Sequence, residues 1–233
     1  KMFKKLLFIT GHRKSGTTMF ANLFDGHEDF LVYPSDICLL YAYYPYFIKK
    51  KLSFKIKKDR ILHIINKDLS SVVNEHNLKN IFNLSKIFKF LEKKLNKKNI
   101  NNIRKILNII FSSYENSLNN KKKYKYFVVK ETSADIFFNK IFTKKDHIKF
   151  LHLIRDPRDI VVSYSHHLNL SYEETFLKMI DSRAVEKTID LKDRVLLGTW
   201  SNHYNAWKNF PIKKILIKYE DLINDAHFNF KRI

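Results

Sequence analysis

Four short apolar runs punctuate the chain, at Leu6–Thr10, Tyr126–Lys130, Ile148–Ile154 and Lys214–Tyr219. They are rich in Ile, Val, Leu and Phe and largely lack polar alternation, the pattern of strands buried on both faces in a parallel sheet. Helical periodicity lies between them. One helix is predicted at Thr17–Phe24, directly after a glycine-containing turn, and another at Arg158–His167, where Pro157 occupies a position that a helix start tolerates. Strand alternating with helix predicts the α/β class.

From about residue 48 to residue 120 the chain changes to Lys, Asn, Ile, Leu and Phe, and Ile103, Ile106, Leu107 and Ile110 recur at helical spacing. This predicts a helical insertion between strands. There is no internal repeat, and four prolines and four glycines are too few and too scattered to mark a linker. Residues 1–233 are therefore expected to form a single domain carrying that insertion. Trp200, Tyr204 and Trp207 stand at helical spacing before the last strand and read as core packing.

Charge adds an anionic partner to this picture without naming it. Lys and Arg number 44 against 23 Asp and Glu, so 44 − 23 = +21, which favours nucleic acid, an acidic glycan, an anionic membrane surface or a multiply phosphorylated nucleotide. Compositional bias competes with all of these. Lys93-Lys94, Lys97-Lys98 and Lys121-Lys122-Lys123 are mixed with Asn and Ile in the manner of solvated helix faces. They also lack the interleaved aromatics of a base-stacking surface, which disfavours nucleic acid. One cysteine, Cys38, excludes an intramolecular disulfide and suits a reducing compartment, so a cytoplasmic location is the expectation. No apolar run approaches the roughly 20 residues that span a bilayer, and the early first strand leaves no room for a signal peptide. An anchor upstream is left open.

Chemistry concentrates in Gly11-His12-Arg13-Lys14-Ser15-Gly16-Thr17-Thr18. A Gly-x-x-x-x-Gly-Thr-Thr turn between a buried strand and a helix is where backbone N–H groups and a helix N-terminus wrap around phosphate. A Walker A loop carries Lys after the second Gly. This chain has Thr17 there and places its cations earlier, at Arg13 and Lys14. An NTPase also needs an Asp after a later strand to help hold Mg²⁺, whereas Ile148–Ile154 is followed by Arg155. A cation there repels a metal and attracts a second anion, a pattern suited to a bisphosphorylated nucleotide. Asp156 reads as the cap of the following helix and Arg158 as a surface residue in its first turn.

Three motifs in order carry a resemblance: Arg13-Lys14-Ser15-Gly16-Thr17-Thr18; Leu153-Ile154-Arg155-Asp156-Pro157-Arg158-Asp159 with Ser163; and Lys218-Tyr219-Glu220-Asp221-Leu222. Together they resemble the sulfotransferases that use 3′-phosphoadenosine 5′-phosphosulfate (PAPS), over roughly residues 3–34 and 126–230. The motifs of the resemblance do not extend into the Lys/Asn-rich middle. The resemblance implies a P-loop NTPase-like three-layer α/β/α fold with a central parallel sheet. It also implies PAPS as co-substrate, 3′-phosphoadenosine 5′-phosphate (PAP) as product, no metal, and an acceptor hydroxyl or amine on a carbohydrate, a protein tyrosine, a lipid or a small molecule.

Site roles carry over position by position. Lys14, Ser15, Gly16, Thr17 and Thr18 would bind the 5′-phosphate, with Arg13 also at the cofactor site, and Arg155 and Ser163 would bind the 3′-phosphate. Tyr219 would line the nucleotide site, or alternatively close the last strand as a core tyrosine. Lys14 would neutralise charge on the bridging oxygen, and Lys130 resembles a lysine beside the transferring group. Asp36 and Glu131 are the candidate bases, since none of the ten histidines stands at a spacing that matches the family's catalytic histidine. Family members continue past the Tyr-Glu-Asp-Leu segment into a helix and a further nucleotide-binding loop. Asp225–Ile233 reads as the start of that helix, which leaves two alternatives: the C-terminal part of the family domain is absent from this chain, or the enzyme works with fewer nucleotide contacts. The competing readings are a P-loop kinase or NTPase, a polyanion-binding module and an inactive sulfotransferase-like protein.

Overall fold

The computed structural model describes residues 5–39, 42, 52–75, 83–118, 122–132, 142, 148–180, 200–212 and 214–225. Five strands form one sheet in the order β2-β3-β1-β4-β5. They are β1 (Lys5–Gly11), β2 (Phe30–Asp36), β3 (Tyr126–Lys130), β4 (Ile148–Ile154) and β5 (Lys214–Lys218). Strands β4 and β5 run parallel, with Leu151 opposite Ile215 and Leu153 opposite Ile217. The α/β class and all four expected strands are present. Tyr219 opens a helix instead of closing β5.

Strand β2 is the addition that the hydrophobic pattern did not predict. Its sequence, Phe-Leu-Val-Tyr-Pro-Ser-Asp, ends in residues that read as a turn. Its place at the edge of the sheet explains the proline, because an edge strand has an outward row of N–H groups and can spare one.

The described chain divides into two compact units, Lys1–Leu6 with Phe24–Val129, and Leu7–Leu23 with Lys130–Ile233. Helices α2 (Phe54–Glu75), α3 (Leu84–Lys94) and α4 (Ile103–Ser117) belong to the first and provide the expected helical stretch. Residues 48–51, 76–82, 119 and 120 of that stretch lie outside the described residues. The α4 stripe Ile103, Ile106, Leu107 and Ile110 is buried as its spacing requires, each side chain contributing about 1.5–3 kcal/mol. Asparagines start two of the helices. Asn83 Oδ1 accepts from Lys86 N at 3.0 Å and Asn102 Oδ1 from Lys105 N at 2.9 Å, each satisfying an N–H that the helix leaves unpaired. Lys93, Lys94, Lys97 and Lys98 are all exposed, as solvated helix faces are.

The second unit has an aromatic core. Phe150 lies 5.4 Å from Phe8, 5.3 Å from Phe142 and 4.8 Å from Phe210, ring centre to ring centre. Around it are α1 (Thr17–Asn22), α5 (Pro157–Leu168), α6 (Tyr172–Ile180), α7 (Trp200–Lys208) and α8 (Tyr219–Asn224). Among the described residues no helix is long and apolar enough to cross a membrane. The helix expected to start at Asp225 falls on residues 226–233, outside the described residues.

Candidate active site

The loop begins where β1 runs into β4. A Cβ on Gly11 would stand 2.5 Å from the Leu153 carbonyl oxygen, so only glycine allows this approach. The chain then turns sharply, Ser15 N donating to the His12 carbonyl at 3.1 Å. Gly16 follows at φ 86 as the N-cap of α1, and no side chain caps that helix. A Cβ on Gly16 would meet the Tyr219 ring at 2.5 Å. Glycine is therefore required twice at Gly16, once for the left-handed backbone and once for the aromatic face laid on it.

Arg155 ties the next turn to this one. Its Nη1 donates to the Lys14 carbonyl at 3.0 Å, and its guanidinium carbon lies 4.3 Å from the centre of the Tyr219 ring. Stacking a guanidinium on tyrosine contributes about 0.5–2 kcal/mol. Arg155 Nε forms a long ion pair with Asp159 Oδ2, 3.9 Å away. Lys14, Gly16, Arg155 and Tyr219 thus form one closed group joining the loop, the end of β4 and the start of α8. Tyr219, which the chain pattern leaves between core packing and a place at the loop, takes the loop.

A second group is built on β3. Lys130, at its end and 7% exposed, donates through Nζ to Thr18 Oγ1 at 3.0 Å. Glu131 is 1% exposed, and its backbone N donates to the Ile9 carbonyl at 3.0 Å, holding it beside β1. Ser163 is half-buried in α5, and Asp36 ends β2 in the first compact unit. Arg13 is half-buried and Thr17 buried.

Two observations point to an anion in the loop. Ser15 is 1% exposed and its Oγ has no hydrogen-bond partner among the described residues, an arrangement that costs about 1–3 kcal/mol unless a ligand accepts the bond. Burial, and then the neighbouring Arg13 charge, lower the Lys14 pKa below the ordinary 10.5. An anion would accept from the Ser15 hydroxyl and offset the Arg13 charge beside Lys14. Among the described residues no cluster of His, Cys, Asp and Glu is arranged to hold a metal ion.

Beside Arg155 a cleft of about 500 Å³ is lined by Arg155, Arg158, Trp200, Lys218 and Glu220, among others. Asp156 caps α5 by accepting from Arg158 N at 2.8 Å, and its pKa falls to about 2 through its hydrogen bonds with Arg158. Arg158 lies on the surface, as expected. Trp200 departs from the core-packing expectation: its Nε1 donates to the Arg155 carbonyl at 3.3 Å, and it stacks on Tyr204, which is 39% exposed. His12 also escaped the sequence reading. It is 3% exposed, bonds to the Arg13 carbonyl, and packs on His203. Its only sequence signal was its place inside the loop.

Several known proteins are similar to this chain. Rat sulfotransferase 2A1 is 31% identical over 119 residues, which are 48% of this chain and 39% of the rat protein. Mouse sulfotransferase 2A6 is 30% identical over 101 residues, 42% of this chain and 33% of the relative. The matched stretch is thus well under half the length of these curated relatives. Among solved structures, mouse sulfotransferase SULT7A1 complexed with PAP superposes with a TM-score of 0.46 at 16% identity, covering 99% of this chain and 58% of that one. A retinol dehydratase in complex with retinol and PAP gives 0.37 at 16% identity, covering 99% of this chain and 60% of that one. The profile of one family, described as the sulfotransferase domain, matches residues 4–233, and the chain belongs to that family.

Proposed function

We propose that this chain carries the nucleotide site of a sulfotransferase that passes a sulfuryl group from PAPS to an acceptor hydroxyl or amine and releases PAP. The observation that carries this reading is the closed group of Lys14, Gly16, Arg155 and Tyr219, with the buried Ser15 hydroxyl inside the loop. Two of the solved structures reported above are complexes with PAP.

In this reading the loop N–H groups and Ser15 hold the 5′-phosphate, and Arg155 and Ser163 take the 3′-phosphate. Sulfuryl transfer is an in-line displacement. The acceptor oxygen or nitrogen bonds to sulfur, the bond from sulfur to the bridging phosphate oxygen breaks, and the acceptor proton passes to a base. Lys14 stabilises the negative charge that develops on the bridging oxygen, with Lys130 and Thr18 beside the transferring group. Glu131 and Asp36 are the candidate bases. Glu131 has the support of direct attachment to Lys130, and Asp36 that of its place at the end of β2.

Calorimetric titration tests the reading. PAP should bind without metal and more tightly than ATP or GTP with Mg²⁺, and tighter ATP binding that requires Mg²⁺ would return the chain to the kinase and NTPase class. With labelled PAPS and a panel of acceptor classes, Glu131→Gln and Asp36→Asn separate the bases. Loss of the true base lowers turnover about 10²–10⁴-fold, and full turnover in both variants rejects both. Binding of PAP with no transfer to any acceptor would mark an inactive relative.

A further inference from the structure

Lys14 has a backbone conformation that L-residues avoid. Its φ is 65, a left-handed position costing a residue with a Cβ about 1–2 kcal/mol. Two hydrogen bonds hold it there, one on each flanking peptide plane. On the C-terminal side Arg155 Nη1 donates to the Lys14 carbonyl at 3.0 Å. On the N-terminal side His12 Nδ1 lies 2.9 Å from the Arg13 carbonyl oxygen. A carbonyl only accepts, so this contact places the ring proton on Nδ1.

The consequence follows from peptide planarity. In a trans peptide the C=O and N–H point to opposite sides. With the Arg13 carbonyl held toward His12, the Lys14 N–H turns to the opposite side. With the Lys14 carbonyl held by Arg155, the Ser15 N–H turns inward, where it donates to the His12 carbonyl at 3.1 Å. The His12 ring has little room to leave this position. It is 3% exposed and packs edge-on against His203 of α7, with ring centres 5.1 Å apart and planes at 86°.

We propose that His12 is a positioning residue of the loop: its Nδ1–H bond to the Arg13 carbonyl holds Lys14 left-handed and aims the Lys14 N–H and ammonium at the bound phosphate, while His203 clamps the imidazole. The proposal rests on the reading above only in that the loop holds the 5′-phosphate. It gives a role in orientation, and no proton transfer, to a histidine that the sequence left as structural.

Two substitutions separate the hydrogen bond from simple packing. Asn places an amide donor where Nδ1 stands, whereas Phe keeps a ring against His203 and removes the donor. Binding of PAP, of AMP, which has only the 5′-phosphate, and of 3′-AMP is measured on the whole chain. His12→Phe should weaken AMP and PAP about fivefold to tenfold, the range of one lost hydrogen bond, and leave 3′-AMP within about twofold. His12→Asn should restore both to within about twofold of the unsubstituted chain. Unchanged AMP binding in His12→Phe, or a larger loss in His12→Asn than in His12→Phe, overturns the proposal.

The ligand-free chain supplies a second readout that does not depend on the nucleotide. Long-range ¹H–¹⁵N NMR of the histidine rings should show neutral His12 protonated on Nδ1, and a proton on Nε2 instead overturns the proposal even if His12→Phe fails to fold. If the unsubstituted chain binds neither AMP nor PAP, the nucleotide reading fails, and the His12 tautomer still decides whether the loop is held as described.

Discussion

The two compact units use their cations in opposite ways. On α3 and just after it, Lys93, Lys94, Lys97 and Lys98 are exposed, and where one touches protein it lies along it, as Lys94 does over the Phe90 ring at 5.8 Å. Around the loop the cations are drawn inward. Lys130 is 7% exposed and bonded to Thr18, and Arg155 donates to a backbone carbonyl under a tyrosine ring. Water stabilises a charge at no conformational cost, so a cation withdrawn from it needs a compensating partner. The lesson is that the net charge of +21 locates nothing. Partial burial and directed hydrogen bonds do. Lys57 marks the limit of the contrast, a 6% exposed lysine within the helical unit that is satisfied by Asn101 Oδ1 at 2.6 Å.

The largest effect that would sharpen this contrast is expected from Arg155→Ala. It removes a charged donor from the Lys14 carbonyl and a cation from the Tyr219 ring, and PAP affinity by calorimetry should fall roughly hundredfold, about 2–3 kcal/mol. A loss under threefold would break the comparison, because the half-buried arginine would then matter no more than a surface lysine.

Next comes Gly16→Ala, which tests both the backbone angle and the ring laid on it. The new Cβ meets the Tyr219 ring at 2.5 Å, and φ 86 is strained for alanine, so a loss of about 1–3 kcal/mol is expected. For a chain of this size each kcal/mol lowers Tm by about 2–4 °C. Adding Tyr219→Ala should return the steric part and leave the φ part, and a Tm equal to that of the unsubstituted chain in the single variant would refute the packing of Tyr219 on the loop.

Lys14 gives a smaller, pH-dependent effect. Its folded pKa lies below the ordinary 10.5, so between the two values the unfolded chain binds more protons, and the ligand-free stability should rise with pH across that window. Phosphate binding needs the charged ammonium, so PAP affinity should fall as pH climbs through the same window, beginning below 10.5. The half-buried position screens part of the effect. Lys14→Arg should abolish both slopes, and slopes that persist in it would assign them to another group.

The smallest change is expected just after α3. Lys97→Ala with Lys98→Ala should leave stability within about 0.5 kcal/mol and PAP affinity within about twofold. A loss there comparable to that of Arg155→Ala would make the surface charge part of the binding site and favour the polyanion-binding reading.

Legibility in the sequence followed how local each cause was. The strands β1, β3 and β4, the cap of α5, and the turn between β1 and α1 are short-range patterns, and they appear where the spacing of residues places them. Strand β2 was missed because its apolar run is short and runs into Pro34 and Ser35, and only the position of the strand at the sheet edge makes a proline acceptable. Trp200 was assigned to packing because its helical spacing says nothing about which carbonyl its indole N–H will meet.

The sequence by itself determined the class of the fold and the family, because Arg13 to Thr18 stand in one contiguous turn after a strand and Arg155 and Tyr219 stand at the ends of later strands. Tertiary structure decided how those pieces are held. Tyr219 lies on Gly16, Arg155 holds the Lys14 carbonyl, and His12 holds the Arg13 carbonyl. These contacts join residues as far as 203 positions apart in the chain, Gly16 to Tyr219, or depend on a backbone angle at Lys14 that no side-chain pattern encodes. Such geometry exists only once the strands that carry these residues lie side by side.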